Sequence, residues 1–214
     1  MFKTMLIAIL IAACASLAVA QDDYKKFEFF GGYSHNRIDT GIGDDDPSLG
    51  DIINKREGFN GFNTSVTGNV SRRVGLKFDF SGHFKSRSIP LAPILPLAAG
   101  TVDINSRLYN FLGGVQIKNN SSDATFKPFA HALVGAAHGR NRVSVSDAGC
   151  VAIFPDPCNF TETDTGFAGA FGGGIDIRAS DRIDIRVIQI DYNPTRLFDS
   201  TQHNFRIGVG IVIH

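Results

Sequence analysis

The sequence predicts an all-β protein: an eight-stranded antiparallel up-and-down β-barrel that crosses a membrane, occupying residues 21–214 after a cleaved signal peptide over residues 1–20. Three observations predict it. Apolar and polar residues alternate with a period of two, the alternating segments are longer than ordinary globular strands, and the connections between them are short and long in turn.

The N-terminal segment opens Met1-Phe2-Lys3, runs without charge from Met5 to Leu17, and reaches Ala18-Val19-Ala20 before Gln21-Asp22-Asp23. A basic start, a short apolar run and a small-residue site describe an export signal cut after Ala20. A retained membrane helix needs about 20 apolar residues and a stop-transfer flank, whereas acids follow here at once. A lipobox reading, in which Cys14 of Ile11-Ala12-Ala13-Cys14 is lipidated, is opposed by the apolar run continuing past Cys14 to a good cleavage site. Beyond Ala20 the longest weakly charged stretch, Ile89 to Val102, is broken by Pro90, Pro93 and Pro96.

The alternation is cleanest from Val74 to Phe84, where Leu76, Phe78, Phe80 and Phe84 share one face and Lys77, Asp79, Ser81 and His83 the other. The last segment repeats it, with Phe205, Ile207, Val209, Ile211 and Ile213 opposite Asn204, Arg206, Gly208 and Gly210. Six more segments qualify: Lys26 to Ile38, Gly58 to Val70, Ser106 to Lys118, Thr125 to Arg140, Asp164 to Arg178 and Arg182 to Tyr192. Each reaches the roughly 9–11 residues a tilted strand needs to cross a bilayer. In Thr125–Arg140 either face could look at lipid, and His131 is assigned inward. In Arg182–Tyr192 the phase changes between Val187 and Ile188, which predicts either a bulge near Val187 or a face that is not simply apolar.

Three connections are tight and polar: Ser71-Arg72-Arg73, Asn119 to Asp123, and Ala179-Ser180-Asp181. Asp39 to Glu57, Arg87 to Asn105 and Asn141 to Thr163 are long, and Asn193 to Thr201 is intermediate. Short turns on one rim and long loops on the other is the layout of bacterial outer-membrane barrels.

Which face meets lipid follows from bulk. The interior of an eight-stranded barrel is just wide enough for side chains to fill. A face carrying Phe27, Phe29, Tyr33, Phe62, Phe78, Phe80, Phe84, Tyr109, Phe111, Phe167, Phe171 and Phe205 overfills it, so these point to lipid. The opposite face supplies a lumen network of mixed charge: Glu28, Lys77, Asp79, His83, Lys85, Arg107, Gln116, Asp176, Arg178, Arg186 and Arg206. Gly172, Gly174, Gly208 and Gly210 make room for the long side chains. Trp is absent, so the interfacial girdles must be built from Phe and Tyr.

Among the 21 basic and 21 acidic residues, signal removal takes away only Lys3, leaving 20 against 21 and no basic surplus to attract nucleic acid. Of three cysteines, Cys150 and Cys158 remain after cleavage, in a segment with Pro155 and Pro157; an exported pair so placed reads as a loop disulfide. Zinc would require further ligands, and only Val, Ala, Ile, Phe, Pro and Asp lie between.

The Gly58–Val70 segment, its tight turn into Val74–Gly82, and Pro128-Phe129-Ala130-His131-Ala132-Leu133 together resemble the outer-membrane β-barrel domain family, the small eight-stranded barrels typified by the OmpA transmembrane domain and OmpX. The resemblance spans the mature chain. It implies residence in the cell outer membrane, contact with outer-membrane lipids and delivery by the barrel-insertion machinery. That family's last strand usually ends on an aromatic residue, whereas this chain ends Ile213-His214.

Chemistry is sparse, and no cofactor is expected. Asp79, Ser81 and His83 are the one compact set for a hydrolase, but they lie side by side along a strand, which suits a polar network better than a proton relay. Asp44-Asp45-Asp46 with Asp51 matches no calcium loop, and Gly172-Gly173-Gly174 lacks the helix a nucleotide loop requires. The apolar, proline-spaced Ile89–Leu97 either folds over the barrel mouth or meets lipid, a ligand or a partner. The leading expectation is a non-enzymatic structural or surface-interaction barrel with a filled lumen, whose long loops could meet an extracellular ligand or surface partner. A narrow porin-like channel is the alternative, followed by a lipid-modifying enzyme and a soluble lipocalin-like barrel.

Overall fold

The computed structural model describes residues 24–39, 56–90, 101–121, 124–145 and 159–214. Ala20, Cys14, the Asp44–Asp46 run with Asp51, Leu91–Leu97 and the Cys150–Cys158 pair lie outside the described residues. The described chain forms eight strands: β1 Phe27–Asp39, β2 Arg56–Asn69, β3 Val74–Pro90, β4 Thr101–Lys118, β5 Phe126–Val145, β6 Asn159–Arg178, β7 Ile183–Leu197 and β8 Ser200–Ile213. Each pairs antiparallel with the next, and β8 pairs with β1 from Phe29↔Ile213 to Arg37↔Phe205, closing the barrel. Closure leaves no sheet edge whose N–H and C=O groups lipid would have to satisfy.

The alternation read from the sequence is the inside–outside alternation of this wall. Phe78 is 70% exposed and Phe29, Tyr33, Phe111 and Phe167 are all exposed, while the intervening positions are buried in the lumen. Phe62, Phe80 and Tyr109 point outward too but cover one another: Phe80 stacks on Phe111 with ring centroids 4.8 Å apart and meets Phe62 edge-on at 5.4 Å.

The strands run further toward the long-loop rim than the sequence reading placed them. β3 continues to Pro90, β4 begins at Thr101, and β5 and β6 each span 20 residues. The expected intermediate connection, Asn193 to Thr201, is absent: β7 and β8 pair up to Leu197↔Ser200 and are joined by Phe198-Asp199 alone. Both turn residues have positive φ, 53° and 57°, as a two-residue primed hairpin turn requires. The expected bulge is present. The β7–β8 register shifts between Arg186 and Gln189, so Val187 and Ile188 both face outward.

Candidate functional site

The lumen is the candidate site, and it has three levels. At the level toward the short-turn rim, Lys118 of β4 places its Nζ 2.8 Å from both Glu28 Oε2 of β1 and Asp176 Oδ2 of β6. Arg186 of β7 donates to both oxygens of Asp176, at 2.8 and 3.1 Å. Its guanidinium lies over the rings of Phe30 and Phe129, 4.2 and 4.1 Å from their centroids. Closer to the rim, Lys127 and His214 converge on Asp184 at 2.9 and 2.8 Å.

At the middle level Arg206 of β8 spans the lumen. Its Nη1 is 2.8 Å from Asp79 Oδ1 on β3 and its Nη2 is 2.7 Å from Asp191 Oδ2 on β7. Asn63 donates to Asp79 at 2.9 Å, His131 Nε2 is 2.9 Å from Asp191, and Lys77 Nζ is 3.3 Å from His131 Nδ1. The cations Lys77, Lys118, Arg186 and Arg206 thus face the carboxylates Glu28, Asp79, Asp176 and Asp191, and none of these side chains belongs to a residue more than 3% exposed. Equal and opposite charge with shared hydrogen bonds is what allows ions to leave water without prohibitive cost.

The upper level is different in kind. Ile38, Phe59, Leu108, Leu112, Leu133, Ala137, Ala168, Ala170 and Leu197 form an apolar layer across the lumen, with Phe198 of the β7–β8 turn folded against it. Above lies a mouth cavity of about 470 Å³, floored by Phe59, Leu108 and Leu197 and walled by Lys85, Arg87, Glu57 and Gln202. Lys85 donates to the Gly58 carbonyl at 3.3 Å, and Arg87 pairs with Glu57 at 3.1 Å. Gly139 permits the arrangement, since a Cβ there would lie 3.2 Å from both the Leu197 and Phe198 side chains.

Measured against the sequence, Lys77, Asp79, Asp176 and Arg206 come together in the charged levels, and His83 lies just above them, 2.9 Å from Ser34 Oγ. Gln116 is buried on the same inner face. Lys85 belongs to the mouth cavity and not to the charged levels. Arg178 is at the short-turn rim, where it pairs with Asp181 of the β6–β7 turn. That guanidinium holds the exposed Asp181 carboxyl below its ordinary range. Arg107 is a correction: it is exposed, on the outward phase of the β4 stretch that buries Leu108, Asn110 and Leu112, and it borders the mouth cavity without joining the charged levels. Lys118, His131, Asp184, Gln189 and Asp191 complete the network, and the apolar layer was not anticipated at all.

The hydrolase set is dispersed over separate bonds. Asp79 is engaged by Arg206 and Asn63, Ser81 Oγ accepts from Arg206 and Asn110, and His83 pairs with Ser34. Among the described residues no group of His, Cys, Asp and Glu is placed to hold a metal ion.

A closed barrel with an aromatic and aliphatic exterior and an ion-paired interior is a transmembrane β-barrel. The chain belongs to the outer membrane protein beta-barrel domain family, whose pattern matches residues 6–212, and its place is the bacterial outer membrane. Solved structures share the fold, among them the following two. Ail, the attachment invasion locus protein of Yersinia pestis, solved in complex with the heparin analogue sucrose octasulfate, is 17% identical over 87% of this chain and 97% of its own, with a TM-score of 0.55. Neisserial surface protein A is 9% identical over 88% of this chain and 97% of its own, with a TM-score of 0.50. The curated proteins contain no match to the sequence.

Proposed function

We propose that the protein is a closed barrel that acts at the cell surface through its external hairpins and mouth. The observation that carries this reading is the filled lumen: two charged levels and an apolar layer lie one above another across it. The long hairpins support an outward role, since β5 and β6 exceed by about 9–11 residues the length a membrane crossing demands. A barrel of this fold, Ail, carries a heparin analogue in its solved complex, which makes a surface ligand a reasonable class for the external end. A disulfide between Cys150 and Cys158 would brace the β5–β6 connection, and signal cleavage after Ala20 would release the mature barrel to the insertion machinery.

Planar-bilayer recording of the mature protein tests the closed lumen. The expected result is silence. Gly208 faces the lumen with no side-chain or backbone atom closer than 3.4 Å to a Cβ placed there. Steady openings that Gly208→Leu abolishes would therefore overturn the reading in favour of a narrow channel. An enzyme of membrane lipids is tested separately, by comparing lipid profiles of cells with and without the protein; unchanged profiles are expected.

A further inference from the structure

The outward turn of Arg107 exposes a feature that the filled lumen does not use. On β4 the outward positions read Val115, Gly113, Phe111 and Tyr109 and then change to Arg107 and Asn105; on β5 the same ascent reads Val134, Ala136 and His138 and then Arg140 and Arg142. Phe84, whose ring meets Tyr109 edge-on at 5.7 Å, marks the upper end of the aromatic surface on β3. Directly above this boundary the outer wall turns polar, with Ser86 bonded to Asn105. Arg107 and Arg140 therefore stand at the depth where hydrocarbon gives way to headgroups.

Their pairing is the unusual part. Arg107 and Arg140 are direct cross-strand partners on one face, and Arg142 is opposite Asn105, one step further out. Like charges directly opposite are unfavourable in a sheet unless something neutralises them. Their other outward neighbours are Phe84, Tyr109, His138, Thr161 and Thr163, none of them acidic. Asp103, the nearest acid on this face of β4, lies beyond Asn105 and is bonded to Ser88. By contrast, the lumen arginines Arg186 and Arg206 are each matched to carboxylates. Two guanidinium forks side by side at headgroup depth, without an acid of their own among the described residues, suit a multiply charged oxyanion held bidentately.

We propose that Arg107 and Arg140, with Arg142 above them, bind the phosphate groups of a phosphorylated glycolipid in the outer leaflet, so that β4 and β5 carry a lipid-headgroup site on the outside of the barrel. The proposal does not depend on whether the lumen conducts.

The test uses the mature protein folded into phosphatidylcholine vesicles containing a minor fraction of a diphosphorylated glucosamine lipid, extracted in mild detergent and assayed for retained glycolipid. The native barrel is expected to retain the glycolipid, and the R107Q/R140Q double variant to retain about ten-fold less, the scale of one charge-assisted hydrogen bond. Removing the phosphates from the glycolipid should abolish retention by the native barrel to the same degree. Neither substitution touches the charged levels or the apolar layer, so both proteins should show the same heat-modifiable gel migration from phosphatidylcholine alone. If the double variant fails that folding check, the dephosphorylated glycolipid on native protein decides the matter. Equal retention by native and folded variant barrels, retention independent of the phosphates, or complete displacement by millimolar inorganic phosphate would each overturn the proposal.

Discussion

Arg206 and Asp79 are 127 residues apart in the chain, yet the Arg206 Nη1 donates to Asp79 Oδ1 across 2.8 Å in the middle of the lumen. The bond ties β8 to β3, strands that are not neighbours in the wall. It makes the interior a brace as well as a filling.

Replacing Arg206 by Met leaves Asp79 and Asp191 buried without their cation, and the expected loss is about 3–5 kcal/mol, the cost of orphaning a buried charge. Urea unfolding in detergent micelles, followed by gel migration, measures it. A loss no larger than that of Glu57→Gln, which removes one ion pair at the partly exposed mouth, would contradict the bracing role.

The exterior responds in the opposite sense to a soluble barrel. Phe78, 70% exposed between Val66 and Gly113 on the lipid face, should tolerate Leu, whereas Lys should cost about 2–4 kcal/mol if the site lies near the bilayer midplane. Refolding yield into vesicles against yield in urea reads the difference. A Lys variant that folds as well as the Leu variant would place this face in water.

Phe198 folds over the apolar layer from a turn whose φ of 53° is uncommon for an aromatic residue. Phe198→Gly relieves the backbone and removes the cap together. The expected outcome is a barrel of nearly unchanged stability whose Leu133, when replaced by Cys, reacts faster with a small maleimide. Gly139→Leu should displace the same ring and produce the same gain in reactivity.

At the other rim, Asp181 is held below the usual carboxylate range by Arg178. A depressed value in the folded state adds stability that is present at neutral pH and fades as pH falls through the lowered value. Carbonyl-carbon NMR of the folded protein should show Asp181 titrating at lower pH than in R178Q, with little change in overall stability because the group is exposed.

The wall of this barrel was legible in its residues because period two is a direct image of two unlike solvents. The bulge announced itself where Val187 and Ile188 broke the phase. The upper strand ends were harder to read, since Asn193-Pro194-Thr195 looks like a loop and Phe198-Asp199 lacks the Asn-Gly signature of a tight hairpin. Arg107 was misplaced although the signal existed: it stands two and four residues before Tyr109 and Phe111, both outward, and parity alone puts it beside them. The lumen's partners were a different matter. Alternation says that Asp79, Asp191 and Arg206 face inward, but which meets which depends on stagger between distant strands, and no local pattern encodes that. The apolar layer escaped for a related reason, because no strand contributes more than two of its members and they become a layer only when the barrel closes.

The last strand is gripped along both flanks by β1 and β7 and, through Arg206, from across the lumen by β3. Mechanically, this makes the C-terminal strand a locked stave and not a loose end. Under tension applied at His214, the barrel should hold until a single high-force rupture and then come apart with little further resistance, because the strand pulled first is the one that keeps the hoop shut.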